Sequence, residues 1–294
     1  METTHIPSGD VQLCVYTWPV DSPRGVVRIA HGMVEHGRRY NALAEYLNEH
    51  GYAVVAHDHR GHGNTKGVPR GYFADEHGWD AVIADIQTVG RYAAERFPEK
   101  PQFLVGHSMG SFLTRDYIFR YGDELRGAAI IGTGTWAGLV GQIGLNLANL
   151  LSMKSPKEPG KLLTSLVFAG FNKGFEQRTD FDWLSRDHAE VDAYMADPDC
   201  GFAATNRFFA DFLGAVKQCE QYFDLPVVLP VYIASGELDP VGGINAVNDV
   251  AAAYRRRGLD VVTHVYPGAR HEIFNETNKE EVYQHLVQWL DSRL

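Results

Sequence analysis

Short apolar runs alternate with longer helical patterns along most of this chain, and that alternation restricts its fold more than any other feature. Leu13–Thr17, Val26–Ala30, Ala53–His57, Phe103–Val105, Ala128–Gly132, Val231–Ser235 and Val261–Tyr266 read as strands. Several are apolar throughout, as strands covered on both faces should be. Between them, Arg39–His50 reads as a helix closed by Gly51. Trp79–Phe97 carries Val82, Ile86, Val89 and Ala93 on one stripe and stops at Pro98. Met109–Tyr121, Ile244–Arg257 and Asn278–Leu294 complete the helical set. The pattern predicts the α/β class: a mainly parallel central sheet with helices on both faces. From about Thr135 to Arg207 the alternation stops, and helical fragments are joined by "SPKEPG" and "ADPDCG". The expectation is one core formed by residues 1–134 and 207–294, with residues 135–206 inserted as a helical lid.

Charge narrows the partners. A formal net charge of −10 repels nucleic acid and strongly anionic membranes, so neither is expected as a main partner. Cys14, Cys200 and Cys219 are odd in number and lack close metal-type spacing, which suits free thiols in a reducing compartment. "METTHIPSGDVQL" has neither a basic segment nor an apolar core of the signal-peptide kind, and a cytoplasmic location is the expectation. The uncharged stretch from Thr133 to Met153 carries Gln142, Asn146 and Asn149 on one helical face. It therefore reads as an amphipathic helix and not as a membrane span. That leaves room only for transient contact with a membrane surface through the lid. Oligomeric state is not legible.

One junction carries chemistry. In "QFLVGHSMGSFL" a strand gives way to a helix at Ser108, which is flanked by Gly106 and Gly110. A turn this sharp excludes neighbouring side chains and lifts the serine hydroxyl clear of the sheet, near a helix N-terminus. A hydroxyl attacks only if an imidazole takes its proton, and the imidazole needs a carboxylate to fix its tautomer. In sheets that carry such a serine, the acid and then the base follow it in the chain, each after a late strand. "VYIASGELDPVGG" supplies Asp239, with Glu237 a rival; "VVTHVYPGARHEIFNE" supplies His271, with His264 a rival inside the strand itself. An oxyanion needs two backbone donors. The N–H of Met109, next after the serine, is one candidate, and that of Met33, in "HGMVEHG" after an early strand, is the other.

No metal site is expected. His31, Glu35 and His36 lack a usable ligand spacing, and His57, His59 and His62 in "HDHRGHG" read as a strand end and a structural loop. Nor does a dinucleotide or phosphate loop occur, so no cofactor is expected. In the lid, Trp136, Leu139, Val140, Ile143, Leu147 and Phe168 are candidates to line an acyl groove over Ser108, although part of such a stripe must pack on the core.

Taken together, "HGMVEHGRRY", "HDHRGHG", "GHSMGS", "SGELDPVG" and "GARHE" resemble the monoacylglycerol lipase and lysophospholipase branch of the α/β-hydrolases, grouped with serine aminopeptidase-like hydrolases. "FDWLSRDHAEVDAYMADPDCGF" looks like the rear of the lid in bacterial members. The resemblance implies an α/β-hydrolase fold, Ser108, Asp239 and His271 as the triad, and the Met33 and Met109 amides as the oxyanion hole. It also implies that Glu35 and Arg39 support the loop carrying that hole; a surface ion pair of small value is the alternative. Asn64-Thr65 departs from the small residue and Ser commoner in the family at that point. The expected substrate is a small acyl ester, first a monoacylglycerol and second a lysophospholipid or simple carboxylester. A peptidase or amidase, or a non-enzymatic receptor on the same fold, remains open.

Overall fold

The computed structural model describes residues 1–220 and 228–294, so residues 221–227 of the expected core fall outside the described residues. Eight strands form one sheet: β1 (Glu2–Ser8), β2 (Val11–Trp18), β3 (Gly25–Ala30), β4 (Tyr52–His57), β5 (Gln102–His107), β6 (Gly127–Ile131), β7 (Val231–Gly236) and β8 (Val261–Tyr266). Their spatial order is β1-β2-β4-β3-β5-β6-β7-β8. Among the described strands of this sheet, the β1–β2 and β2–β4 pairs are antiparallel, and from β4 to β8 the sheet is parallel.

Seven of the eight strands coincide with the apolar runs. β1, "ETTHIPS", does not, because it is an edge strand with mostly exposed or half-exposed side chains and no apolar run to read. The central strands are buried on both faces, so successive residues serve opposite cores. Leu104, Ala128, Ile130 and Ile233 face the layer of α2 (Gly78–Arg96), α3 (Met109–Tyr121) and α8 (Gly243–Arg255). Phe103, Val105, Ala129 and Ile131 face α1 (Asn41–Glu49) and α9 (Lys279–Asp291) on the other side. Each helix begins and ends within a few residues of its predicted bounds. A 3₁₀ turn at Gly37–Tyr40 takes the place of the first residues of the predicted first helix.

Between β6 and β7 the chain forms α4 (Gly138–Lys154), α5 (Lys161–Val167), α6 (His188–Ala196) and α7 (Asn206–Cys219). Thr205 caps α7 by accepting from the Phe208 N–H, and Asp187 caps α6 by accepting from the Ala189 N–H. α7 packs against α4 on one side and against α2 and α3 on the other. α4 keeps Asn146 and Asn149 exposed and buries Leu145, Ala148 and Ser152, but unlike a simple amphipathic helix it also exposes Leu139, Val140, Ile143 and Met153.

Candidate active site

The site is assembled at the C-terminal ends of the parallel strands, where loops from several of them meet. Ser108 stands between β5 and α3 with φ 53° and ψ −118°, a backbone conformation that side chains other than glycine rarely adopt. The flanking glycines have a direct reason. A Cβ on Gly106 would lie 2.0 Å from the Gly110 carbonyl oxygen, and one on Gly110 would lie 2.0 Å from the Ala30 carbonyl oxygen. The turn is held by the Ser108 N–H donating to the Ile131 carbonyl at 2.9 Å and by the Ser111 N–H donating to the Ser108 carbonyl at 2.8 Å.

Asp239 and His271 come from the loops after β7 and β8 and meet with Nδ1 of the imidazole 2.9 Å from the carboxylate Oδ1. Both side chains are buried. The Ser235 hydroxyl donates to Asp239 Oδ2 at 2.7 Å and the Val241 N–H to Oδ1 at 2.9 Å. Burial alone would raise the Asp239 carboxyl. The His271 imidazole and these donors outweigh it and hold the group below the ordinary carboxylate range. An ionised acceptor at Nδ1 leaves Nε2 as the basic nitrogen. Of the rivals, Glu237 accepts from the Gly268 N–H instead, and His264 stays in β8, stacked on His285.

Ser108 and His271 both line a cavity of about 980 Å³, together with Gly32 and Met33. A Cβ built on Gly32 would stand 3.3 Å from that of Ser108, so this loop passes directly beside the hydroxyl. As the first residue of α3, Met109 has no preceding helical turn to accept its N–H.

Glu35 and Arg39 do not form a surface pair: their side chains are 3% and 10% exposed. Glu35 Oε1 accepts from the Gly32 N–H at 2.5 Å and from the Tyr40 hydroxyl at 2.9 Å, while its Oε2 accepts from Arg39 at 2.6 Å. Arg39 also grips Glu272, next to His271, in a bidentate pair at 2.6 and 2.7 Å. His107, next to Ser108, lies 3.6 Å from Glu35 and 3.2 Å from the His271 carbonyl oxygen. Burial disfavours its charged form, but the Glu35 carboxylate prevails and raises the imidazole above its usual value. Burial likewise works against Glu35, whose carboxyl is nevertheless held low by Arg39 and His107. One ionic network thus links the loop of Gly32 to the His271 carbonyl and to the side chain of Glu272, the next residue. The sequence reading did not single out Glu272 or His107. Their only signal was adjacency to His271 and Ser108.

Of the six groove candidates, only Phe168 lines the cavity. Trp136 and Leu147 pack against the core, and Leu139, Val140 and Ile143 face solvent. The lining instead comes from Thr164, Ser165, Trp183, Leu184, Tyr194 and Phe202, further along the same segment. Residues 183–184 close over His271, with the His271 and Glu272 N–H groups donating to the Trp183 and Leu184 carbonyls. The histidines of "HDHRGHG" are buried and bonded internally. His59 Nδ1 lies 3.0 Å from His57 Nε2, and the His59 N–H donates to His31 Nε2 at 2.9 Å.

A strand–serine–helix turn in a mixed eight-stranded sheet, with an Asp–His pair delivered by the loops after the last two strands, defines an α/β-hydrolase. Residues 21–278 match the family described as serine aminopeptidase, S33, and the chain belongs to that family. A monoacylglycerol lipase of Mycolicibacterium smegmatis is 31% identical, across 97% of this chain and 95% of that protein. The human monoglyceride lipase is 29% identical over 98% of this chain and 90% of its own length. Among solved structures, a thermostable carboxyl esterase from Bacillus coagulans in complex with glycerol superposes with a TM-score of 0.88 at 29% identity, covering 99% and 98% of the two chains.

Proposed function

We propose that this serine carboxylester hydrolase cleaves esters of single-acyl-chain lipids, and monoacylglycerols first among them. His271 takes the proton of Ser108 while Asp239 holds its tautomer. The serine oxygen attacks the ester carbonyl, and the Met33 and Met109 amides stabilise the oxyanion. The alcohol leaves with the proton held by His271, and water repeats the path to release the fatty acid. Glu35, Arg39 and Glu272 act as positioning residues, since Glu35 fixes the Gly32 amide beside the oxyanion position. No step calls for a metal or cofactor.

The observation that carries the substrate class is the cavity itself. Its volume of about 980 Å³, with Phe168, Trp183, Leu184, Tyr194 and Phe202 in its wall, suits one acyl chain and a small headgroup. Kinship with the mycobacterial and human lipases supports the same substrate. In this reading residues 135–206 are the lid, and the exposed apolar side chains of α4 and α5 touch the lipid surface from which substrate is drawn. The test is fatty-acid release from monoacylglycerols and lysophospholipids of graded chain length. The expected result is a higher kcat/KM on monoacylglycerol, abolished in a folded Ser108→Ala variant. Turnover by that variant, or a preference for aminoacyl-arylamides, would overturn it.

A further inference from the structure

Residues distant in sequence meet outside the cavity at His36, Asp197 and Cys200. His36 closes the loop that carries Gly32, Met33 and Glu35, whereas Asp197 and Cys200 follow α6 in the segment that covers the core. His36 is 4% exposed, and its Nε2 lies 2.9 Å from Asp197 Oδ2. Its Nδ1 is buried and has no hydrogen-bond partner among the described residues. The Cys200 N–H donates to the Asp197 carbonyl at 3.0 Å, a turn that sets thiol and carboxylate side by side. One imidazole nitrogen, one carboxylate oxygen and one sulfur all lie within 4.8 Å of one another. Ligands of a tetrahedral zinc ion stand roughly 3.3–3.7 Å apart, so closure by about an ångström would suffice.

We propose that His36, Asp197 and Cys200 form a zinc site that clamps the segment after α6 to the loop bearing Met33. Nitrogen and sulfur donors select zinc over magnesium or calcium, and three protein ligands leave the fourth position to water. Burial keeps the free Cys200 thiol protonated, so binding releases its proton to solvent. The resulting thiolate and the Asp197 carboxylate balance the two charges of the ion. The clamp would reinforce contacts already present, in which the Gly201 N–H donates to the Val34 carbonyl at 2.9 Å and the Tyr194 hydroxyl donates to the same oxygen at 3.4 Å. The site does not depend on which ester is the substrate.

Cobalt(II) is the spectroscopic probe. One equivalent bound by the full-length protein should give the near-ultraviolet thiolate-to-cobalt charge-transfer band, and excess zinc should bleach it. Cys200→Ser and Asp197→Asn should each lose the band, whereas Cys14→Ala should keep it. Zinc should also raise the melting temperature of the wild type but not of Cys200→Ser, whose metal-free esterase rate should match the wild type within twofold. Absence of the band in the wild type, or its persistence in Cys200→Ser, would refute the site.

Discussion

At the scale of single residues, Ser108 shows how function is set against local stability. Its φ of 53° with ψ of −118° belongs to the region that glycine occupies readily, and holding another residue there costs about 1–3 kcal/mol. The surrounding glycines accept this because no side chain fits beside the turn. Replacing the serine by alanine removes the proposed nucleophile but keeps the strain; replacing it by glycine removes both. Glycine gives back part of the gain through its freer unfolded chain, about 0.5–1 kcal/mol. Ser108→Gly is therefore expected to be about 1 kcal/mol more stable than Ser108→Ala, roughly 2 °C in melting temperature, with neither releasing fatty acid. Equal or reversed melting temperatures would mean that the strain at this turn does not exceed the ~0.5–1 kcal/mol that glycine gives back. The glycine–serine–glycine pattern made this residue readable without coordinates. Arg39 was readable only as half of a pair, because Glu272 lies 233 positions further on and nothing local announces it.

At the scale of elements, legibility followed burial. β3 to β7 are apolar because helices cover both their faces, so periodicity and composition agree. β1 at the open edge buries little and gives no such signal. α4 defeated the reading for another reason. Asn146 and Asn149 are exposed as an amphipathic helix requires, while Gln142 accepts from Lys217 on α7. Leu139 at 76%, Ile143 at 61% and Met153 at 84% exposure nevertheless face outward as well, because only Leu145, Ala148 and Ser152 are buried. An apolar stripe in sequence cannot tell core, groove and lipid surface apart; only the packing of α4 on α7 decides. If that face touches lipid, Leu139→Ser/Ile143→Ser/Met153→Ser should lower the rate on vesicle-borne monoacylglycerol at least fivefold. The rate on a water-soluble short-chain ester should stay unchanged. Equal loss on both substrates would place these residues in the reaction and not at the surface.

At the scale of the whole molecule, the buried charges and imidazoles give stability a direction in pH. His31, His57, His59 and His62 lie together beneath the sheet ends, each at most 2% exposed. Burial disfavours their protonation, and neighbouring charges add to it in His31, His57 and His59; His57 is brought down to about 3 and His62 to about 4. In the unfolded chain each returns to about 6.5. Between the folded and unfolded values the unfolded state binds more protons, so stability falls as the pH drops below about 6.5. Each such histidine contributes a slope approaching 1.4 kcal/mol per pH unit, and about 2 kcal/mol is lost to His57 alone by pH 5. Asp239, Glu35 and Glu272, all held low, extend the loss further into acid as they are forced to protonate. His107 runs the other way. Its raised value gives stability that is full below about 6.5 and lost as the pH rises through its folded value; Asp211, raised by burial to about 6, acts in the same sense, and both oppose the four histidines. The urea midpoint should therefore change little from pH 8 to 7, then fall continuously to pH 5 with net proton uptake on unfolding. A midpoint that stays level down to pH 5 would show that these imidazoles already carry protons in the folded protein.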